Sequence, residues 1–445
     1  MSSVVVGLGK TGASCVRYLA KRGIRVSATD TRRAPPGLAE LGSLANSIDL
    51  RLGGFDLSLL DGASQVLMSP GVSLHEPIAQ QARARGIEVL GDIELFARAV
   101  QAPVIGITGT NGKSTVTTLV ARMAAAAGRR VLAGGNLGEP ALDLLERPAA
   151  DLYVLELSSF QLETTSSLML EAAVVLNVSA DHLDRYPSVA AYAQAKQRIF
   201  ANAATVLLNA DDPWVMAMRG RQLRNPAART VTFSIARADT DFSLIRRGTQ
   251  IYLARHGEKL LDTARMKISG LHNAGNALAA LALGEAVGLP FASMLEALES
   301  FPGLAHRSSW VADIAGVRYI DDSKGTNVGA TSAAVAGMPG PLLMIAGGEG
   351  KGQDFTPLAA VFRGKVRIAL LIGKDAPALA AALQAACPTR TLGSMEEAVT
   401  AAHRAAVPGD TVLLSPACAS FDMFRDYGHR GDVFAAAVHQ LELLP

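Results

Sequence analysis

At 445 residues, with 49% hydrophobic and 18% charged side chains, the chain is long enough for about three compact domains. A net charge of +2 and only 5% aromatic residues exclude a basic, base-stacking nucleic-acid surface. Three scattered cysteines, Cys15, Cys387 and Cys418, form no C-x-x-C pair, no apolar stretch is long enough for a membrane span, and the N-terminus has no signal-peptide pattern; a cytoplasmic protein is expected.

The first predicted strand is Val4-Val5-Val6, running into Gly7-Leu-Gly9-Lys-Thr-Gly12 and an amphipathic stretch to Arg22. The next strand starts at Ile24 and ends at Asp30; Val66-Leu-Met68 forms a later strand before a Ser-Pro-Gly turn. The glycine pattern with its downstream acid matches a dinucleotide-binding fingerprint. The match is weak alone, because any nucleotide diphosphate can use the same N–H cradle. Thr31-Arg32-Arg33 suits a phosphate or a uracil-type head group equally well. A nucleotide or nucleotide sugar is expected here, with an NAD-dependent oxidoreductase as the alternative.

Residues 103–120 carry the strongest signal. An apolar run enters Gly109-Thr110-Asn111-Gly112, followed by Lys113, Ser114, Thr115 and a helix-like stretch. Backbone N–H groups of such a turn point at anionic oxygens, Lys113 reaches terminal phosphates, and Ser114 or Thr115 holds Mg²⁺. Ile107 stands where the usual pattern has its first glycine.

Leu152–Glu156 reads as a strand ending in an acid placed to hold or orient a metal, and Gly134-Gly-Asn136 as a ligand-facing turn. Ala173–Val178 reads as a strand leading to Asp181-His182-Leu-Asp184. Thr205–Asn209 is a further strand, residues 240–268 are short β pieces, and Asn273–Val287 is a helix. His182 could equally be structural, and Lys196, on a polar helix, an ordinary surface charge. Phe301-Pro-Gly303 is a candidate hinge, with Arg307 just beyond it.

The last third again alternates strands and helices, with strands at Arg318–Asp321, Leu342–Ala346, Arg367–Ile372 and Thr411–Leu414. Its loops carry Asp321-Asp322-Ser323-Lys324-Gly325-Thr326, Gly347-Gly-Glu-Gly-Lys351 and Ser415-Pro-Ala-Cys-Ala-Ser420-Phe421, the last expected to open a helix. The fold class is therefore α/β with mostly parallel sheets: a Rossmann-like unit at 1–95, a central P-loop unit at 96–302 and a second Rossmann-like unit at 303–445.

Over its whole length the chain resembles the Mur ligase family of ATP-dependent amide-forming ligases. Gly109–Thr115, Leu155-Glu156-Leu-Ser-Ser-Phe-Gln-Leu-Glu163, Asn177-Val-Ser-Ala-Asp-His182, His272-Asn-Ala-Gly-Asn276, His306-Arg307, Asp322–Asn327 and Leu414–Ser420 occur in the family's order. The Ser-Ser-Phe-Gln-Leu-Glu and Ser-Pro-Ala-Cys-Ala-Ser runs resemble the branch that adds D-glutamate. The resemblance implies a monomer that uses ATP and two Mg²⁺ ions, with UDP-N-acetylmuramoyl-L-alanine and D-glutamate as substrates. An amide ligase for another amino acid, L-glutamate included, is the neighbouring alternative.

The same resemblance implies roles. Gly109 to Thr115, with Asn273, Asn276, Arg307 and Asp322, would hold ATP. Ser114, Glu156, His182 and a carbamate on Lys196 would hold metal, and Lys113, Glu156, His182 and Lys196 would be the catalytic set. Thr11, Thr31, Arg32 and Ser69 would face the UDP end, and Asn136 and His182 the muramoyl portion. Lys324, Thr326, Lys351, Ser420, Phe421 and Tyr427 would face the amino acid. Gly325 and Tyr427 depart from the family's usual Ala and Phe.

Overall fold

The computed structural model describes residues 2–220, 225–268, 270–338 and 340–441. Strands β1 (Ser2–Val6), β2 (Arg25–Asp30), β3 (Asp49–Leu52), β4 (Gln65–Met68) and β5 (Glu88–Leu90) form an all-parallel sheet in the order β3-β2-β1-β4-β5. Val4 to Val6 are solvent-free on both faces because helices cover the sheet, as parallel sheets require. Strand order reverses at β1. The crevice at its carboxyl end is therefore where the Gly7 loop opens.

The central sheet has nine strands: β6 (Val104–Thr108), β7 (Val131–Gly135), β8 (Leu152–Glu156), β9 (Leu170–Val175), β10 (Ala203–Asn209), β11 (Arg229–Phe233), β12 (Phe242–Arg247), β13 (Gln250–Arg255) and β14 (Glu258–Asp262). They run in the order β14-β13-β12-β11-β10-β9-β6-β8-β7, antiparallel only at β12–β13–β14. Here the order reverses at β6, so the phosphate-type turn also sits at a switch point. The helix Leu271–Ala286 is buried continuously from Ala277 to Gly284. Its small alanines let it pack between the sheet and the helices Lys113–Ala126 and Phe291–Ser300.

The third sheet joins β15 (Ser309–Ile314), β16 (Val317–Asp321), β17 (Leu342–Gly347), β18 (Val366–Ile372), β19 (Thr389–Thr391) and β20 (Thr411–Leu414) in the order β15-β16-β20-β17-β18-β19. Only β15–β16 is antiparallel. The three-unit α/β architecture with mostly parallel sheets is the one expected from sequence. No helix among the described residues is long and apolar enough to cross a membrane.

Three local expectations change. β9 stops at Val175, because Asn177 turns to serve the neighbouring loop: its carbonyl accepts from Thr110 N–H at 2.9 Å and its side chain from Asn111 N–H at 2.8 Å. Ser415–Phe421 does not open a helix; Ala417 takes φ +59°, turns follow, and the helix begins only at Tyr427. The expected division between 95 and 96 falls inside the helix Asp92–Ala99.

That helix fastens the first sheet to the central one. Phe96 packs edge-on against Tyr153 at 5.3 Å, in a core shared by both units. Glu94 is almost fully buried and accepts from Ser166 N–H (2.7 Å), Ser167 N–H (3.0 Å), Ser167 Oγ (2.7 Å) and Arg98 Nε (3.1 Å). Burial would raise its carboxyl; the Ser166 and Ser167 donors outweigh burial and hold it at about 2. A depressed carboxylate stabilises the fold fully above its ordinary value of 4.5, and that contribution disappears as pH falls through about 2. Glu94→Gln is expected to cost about 2 kcal/mol at pH 7 by denaturant unfolding, with the gap to wild type closing as pH drops below 4.5.

Candidate active site

The turn after β6 is shaped by backbone need. Gly112 caps the helix Lys113–Ala126 with φ +84°, and a Cβ there would stand 2.5 Å from Asn276 Oδ1. Only glycine meets both demands. Lys113 Nζ folds onto the turn and donates to the carbonyls of Gly109 (2.8 Å) and Thr110 (2.9 Å). Lys196 Nζ donates to the same Gly109 carbonyl at 2.9 Å and lies 4.4 Å from the centre of the Tyr192 ring. Lys196 is therefore no surface charge; it is 1% exposed. Burial first, and the Lys113 charge second, push its amine well below the ordinary lysine value. Lys113 is also lowered, chiefly by burial.

Facing these amines is Glu156, at the end of β8. Its Oε1 accepts from Asn136 Nδ2 at 2.6 Å, while Oε2 is buried with no hydrogen-bond partner. His182 adopts φ +55°; its backbone N–H donates to Asp181 Oδ1 at 2.9 Å and its ring meets Phe160 edge-on at 5.0 Å. Burial lowers the His182 imidazole, which favours a neutral ligand form.

The third unit closes over this cluster. Arg307 Nη2 donates to Ser114 Oγ at 2.7 Å. Asn111 and Asn327 exchange amide hydrogen bonds of 3.2 Å each way across the two units, and Asn327 also reaches Asp181 at 3.4 Å. The Lys324 ammonium sits 3.7 Å above the Tyr427 ring, and burial, then Arg307, bring it down to about 8. Asp322 accepts from Ser415 Oγ at 2.8 Å; burial pushes its carboxyl up to about 7. Gly325 makes that approach possible, since a Cβ would lie 2.7 Å from both Asp322 Oδ2 and Ser415 Oγ.

Two cavities meet at this seam. One, of about 310 Å³, is lined by Lys113, Ser114, Asn136, Glu156, His182 and Lys196, and also by Lys324, Thr326, Lys351, Ser420, Phe421 and Tyr427. The other, about 360 Å³, holds Thr115, Asn273, Asn276, Arg307 and Asp322 beside Phe233, Ile235 and Leu304. The first is polar and cationic. The second has the apolar walls and few polar anchors of a nucleoside pocket. Asn111, Gly112, Arg307 and Lys324 line both. Asp181, Asn177 and Asn327 are site residues that spacing did not single out, although each lies inside a quoted motif. No group of three or more His, Cys, Asp or Glu side chains gathers as a metal site among the described residues.

Models of three domains match the chain in series: the Mur ligase MurD-like N-terminal domain at residues 1–91, the Mur ligase middle domain at 107–284, and the Mur ligase glutamate ligase domain at 306–418.

The chain belongs to the Mur ligase family.

It is 54% identical over 443 residues to a UDP-N-acetylmuramoylalanine–D-glutamate ligase of Nitrosococcus oceani, covering 99% of this chain and 97% of that one. It is 50% identical to the enzyme of that name from Pseudomonas aeruginosa, over 98% of each chain. Among solved structures, UDP-N-acetylmuramate-alanine ligase MurC of Thermotoga maritima has the same fold, with a TM-score of 0.62 and 19% identity over 99% of this chain and 100% of that one. MurF of Acinetobacter baumannii gives 0.62 and 16%, over 98% and 90%.

Four residues expected at the UDP end of a Mur ligase lie outside this seam, near the carboxyl edge of the first sheet. Arg32 is spent on a two-pronged ion pair with Asp30, at 2.8 and 2.7 Å. Asp30 also accepts from Leu8 N–H at 2.6 Å, so the acid an NAD ribose would require is already occupied. Ser69 Oγ is buried and donates to the Gly7 carbonyl at 2.6 Å. Thr31 is exposed and Thr11 half-buried. None of the four lines either cavity. Gly112→Ala is expected to weaken nucleoside triphosphate binding at least tenfold by titration calorimetry, with cooperative unfolding retained, because Ala at φ +84° is strained and blocked by Asn276.

Proposed function

We propose that this chain is an ATP-dependent ligase that joins D-glutamate to the L-alanyl carboxylate of UDP-N-acetylmuramoyl-L-alanine, in peptidoglycan precursor synthesis. The reaction passes through an acyl phosphate and releases ADP and phosphate. The observation that carries it is the seam: an unpartnered Glu156 oxygen facing two buried lysines, with a nucleoside-type cavity on one side and a cationic cavity on the other. Full-length relatives at 50–54% identity, all of one name, support the choice of amino acid.

The residues fit a magnesium nucleotide. A buried carboxylate oxygen without a donor, a serine hydroxyl and an imidazole suit a hard cation that takes its remaining ligands from phosphate and water. Ser114, Glu156, His182 and a carbamylated Lys196 are the proposed ligands. Mg²⁺ supplies charge neutralisation for the transferring phosphoryl group. Carbamylation requires an unprotonated amine, the form that burial and Lys113 favour at Lys196. The neutral nitrogen bonds to the carbon of CO₂ and gives up one proton, so an uncharged amine becomes an anion beside Lys113.

The chain's own groups do the positioning. Lys113 and Arg307 oppose the negative charge of the triphosphate and of the carboxylate it approaches. Gly109 to Ser114 cradle phosphates, while Thr115, Asn273, Asn276 and Asp322 hold the nucleoside. Asn136 fixes Glu156 and borders the muramoyl path. Lys324, Thr326, Lys351, Ser420, Phe421 and Tyr427 receive the dicarboxylate and direct its amine at the activated carbonyl. Thr11, Thr31, Arg32 and Ser69 mark the end of the first sheet where we place the uridine diphosphate. Both nucleotide substrates place the work in the cytoplasm.

A phosphate-release assay with UDP-N-acetylmuramoyl-L-alanine and ATP tests the reading. Release is expected with D-glutamate and at most a tenth of that rate with L-glutamate, L-lysine or diaminopimelate; release driven only by another amino acid overturns it. Lys113→Ala is expected to remove at least 99% of D-glutamate-dependent release. Lys196→Ala should lose at least a hundredfold in rate and regain part of it with a short carboxylic acid; undiminished activity would refute the carbamate role.

A further inference from the structure

Arg430 lies in the second turn of the helix Tyr427–Leu441 and is 0% exposed. A buried guanidinium gives up its hydration. A cation near a helix N-terminus is also opposed by the helix dipole. Neither cost serves the helix, so the reason for an arginine lies in its contacts. Nε donates to Ser323 Oγ at 3.0 Å and Nη2 to the Ser323 carbonyl at 2.7 Å. Nη1 donates to the Cys418 carbonyl at 3.1 Å and lies 3.5 Å from the Gly347 carbonyl. Ser323 Oγ in turn donates to the Tyr427 carbonyl at 2.7 Å.

The oxygens that accept from Arg430 lie in the loops after β16 and β20 and at the carboxyl end of β17, from which three functional loops leave. The first carries Lys324 and Thr326, the second Ser420 and Phe421, the third Lys351. Tyr427 begins the helix that holds Arg430. Every segment assigned above to the amino acid therefore meets one planar fork with five donors, a geometry lysine cannot reproduce. Resting on the D-glutamate reading, we propose that Arg430 is the positioning residue of the amino-acid pocket: it sets the mutual spacing of these three loops without touching substrate.

The test compares wild type, Arg430→Lys and Ser323→Ala in the phosphate-release assay, with KM measured separately for each substrate and thermal unfolding recorded alongside. Arg430→Lys is expected to raise KM for D-glutamate at least tenfold. KM for UDP-N-acetylmuramoyl-L-alanine should stay within twofold, KM for ATP within threefold, and kcat at saturating D-glutamate within fivefold. Ser323→Ala, which removes one prong's acceptor, is expected to raise the D-glutamate KM about threefold, and it decides the matter if Arg430→Lys is insoluble. A lower Tm with all three KM values unchanged overturns the proposal, as does an equal rise in all three. Wild-type protein that releases no phosphate with D-glutamate instead overturns the functional reading on which the proposal rests.

Discussion

Two buried lysines share one carbonyl oxygen, that of Gly109. In a low-dielectric interior such a pair repels unless one amine loses its proton or an anion arrives. The fold answers only in part, with Glu156 and Asp181, and adds Arg307 to the same seam from the third unit. The excess positive charge is thus built in by folding. It favours anionic ligands at this place and lowers the Lys196 amine well below the ordinary lysine value.

The rest of the architecture serves that point. Three mostly parallel sheets each send their functional loops from carboxyl strand ends, and the first two do so where strand order reverses. The central sheet supplies phosphate-type turn, acid and lysines within one layer. The third sheet supplies groups that act across a gap, through Arg307 to Ser114 and through the Asn111–Asn327 amide pair. Those contacts are few and polar, as suits a surface that must part to admit ligands.

Local chemistry was the legible part of the sequence. The β6–turn–helix signal needs only adjacent residues, so Gly112 and Lys113 could be placed from spacing, and so could β2, β8, β16, β17 and β20. Lys196 could not: its nine-residue helix has little amphipathic pattern, and its burial is imposed by the Gly109 turn and Tyr192. Asn111 and Asn327 are separated by 216 positions and carry no pattern that links them. Arg32 shows a pairing that its triplet did not announce: an ion pair with Asp30 two residues away. Arg430 was invisible because arginine on a helix ordinarily reads as surface.

The core shared by the first two sheets has a mechanical meaning. Val5, Phe96, Tyr153 and Phe200 belong to one continuous apolar cluster, and Ser14 and Arg17 add polar ties to Asp143 at 2.8 Å. The nucleotide-type crevice of the first sheet and the phosphate turn of the second are thereby held at a fixed separation. For a substrate anchored in one and reacting in the other, as proposed above, that separation would act as a ruler of constant length. Its length, as well as its chemical ends, would then be a criterion for turnover, and the orientational entropy of that alignment would be lost once, when the chain folds.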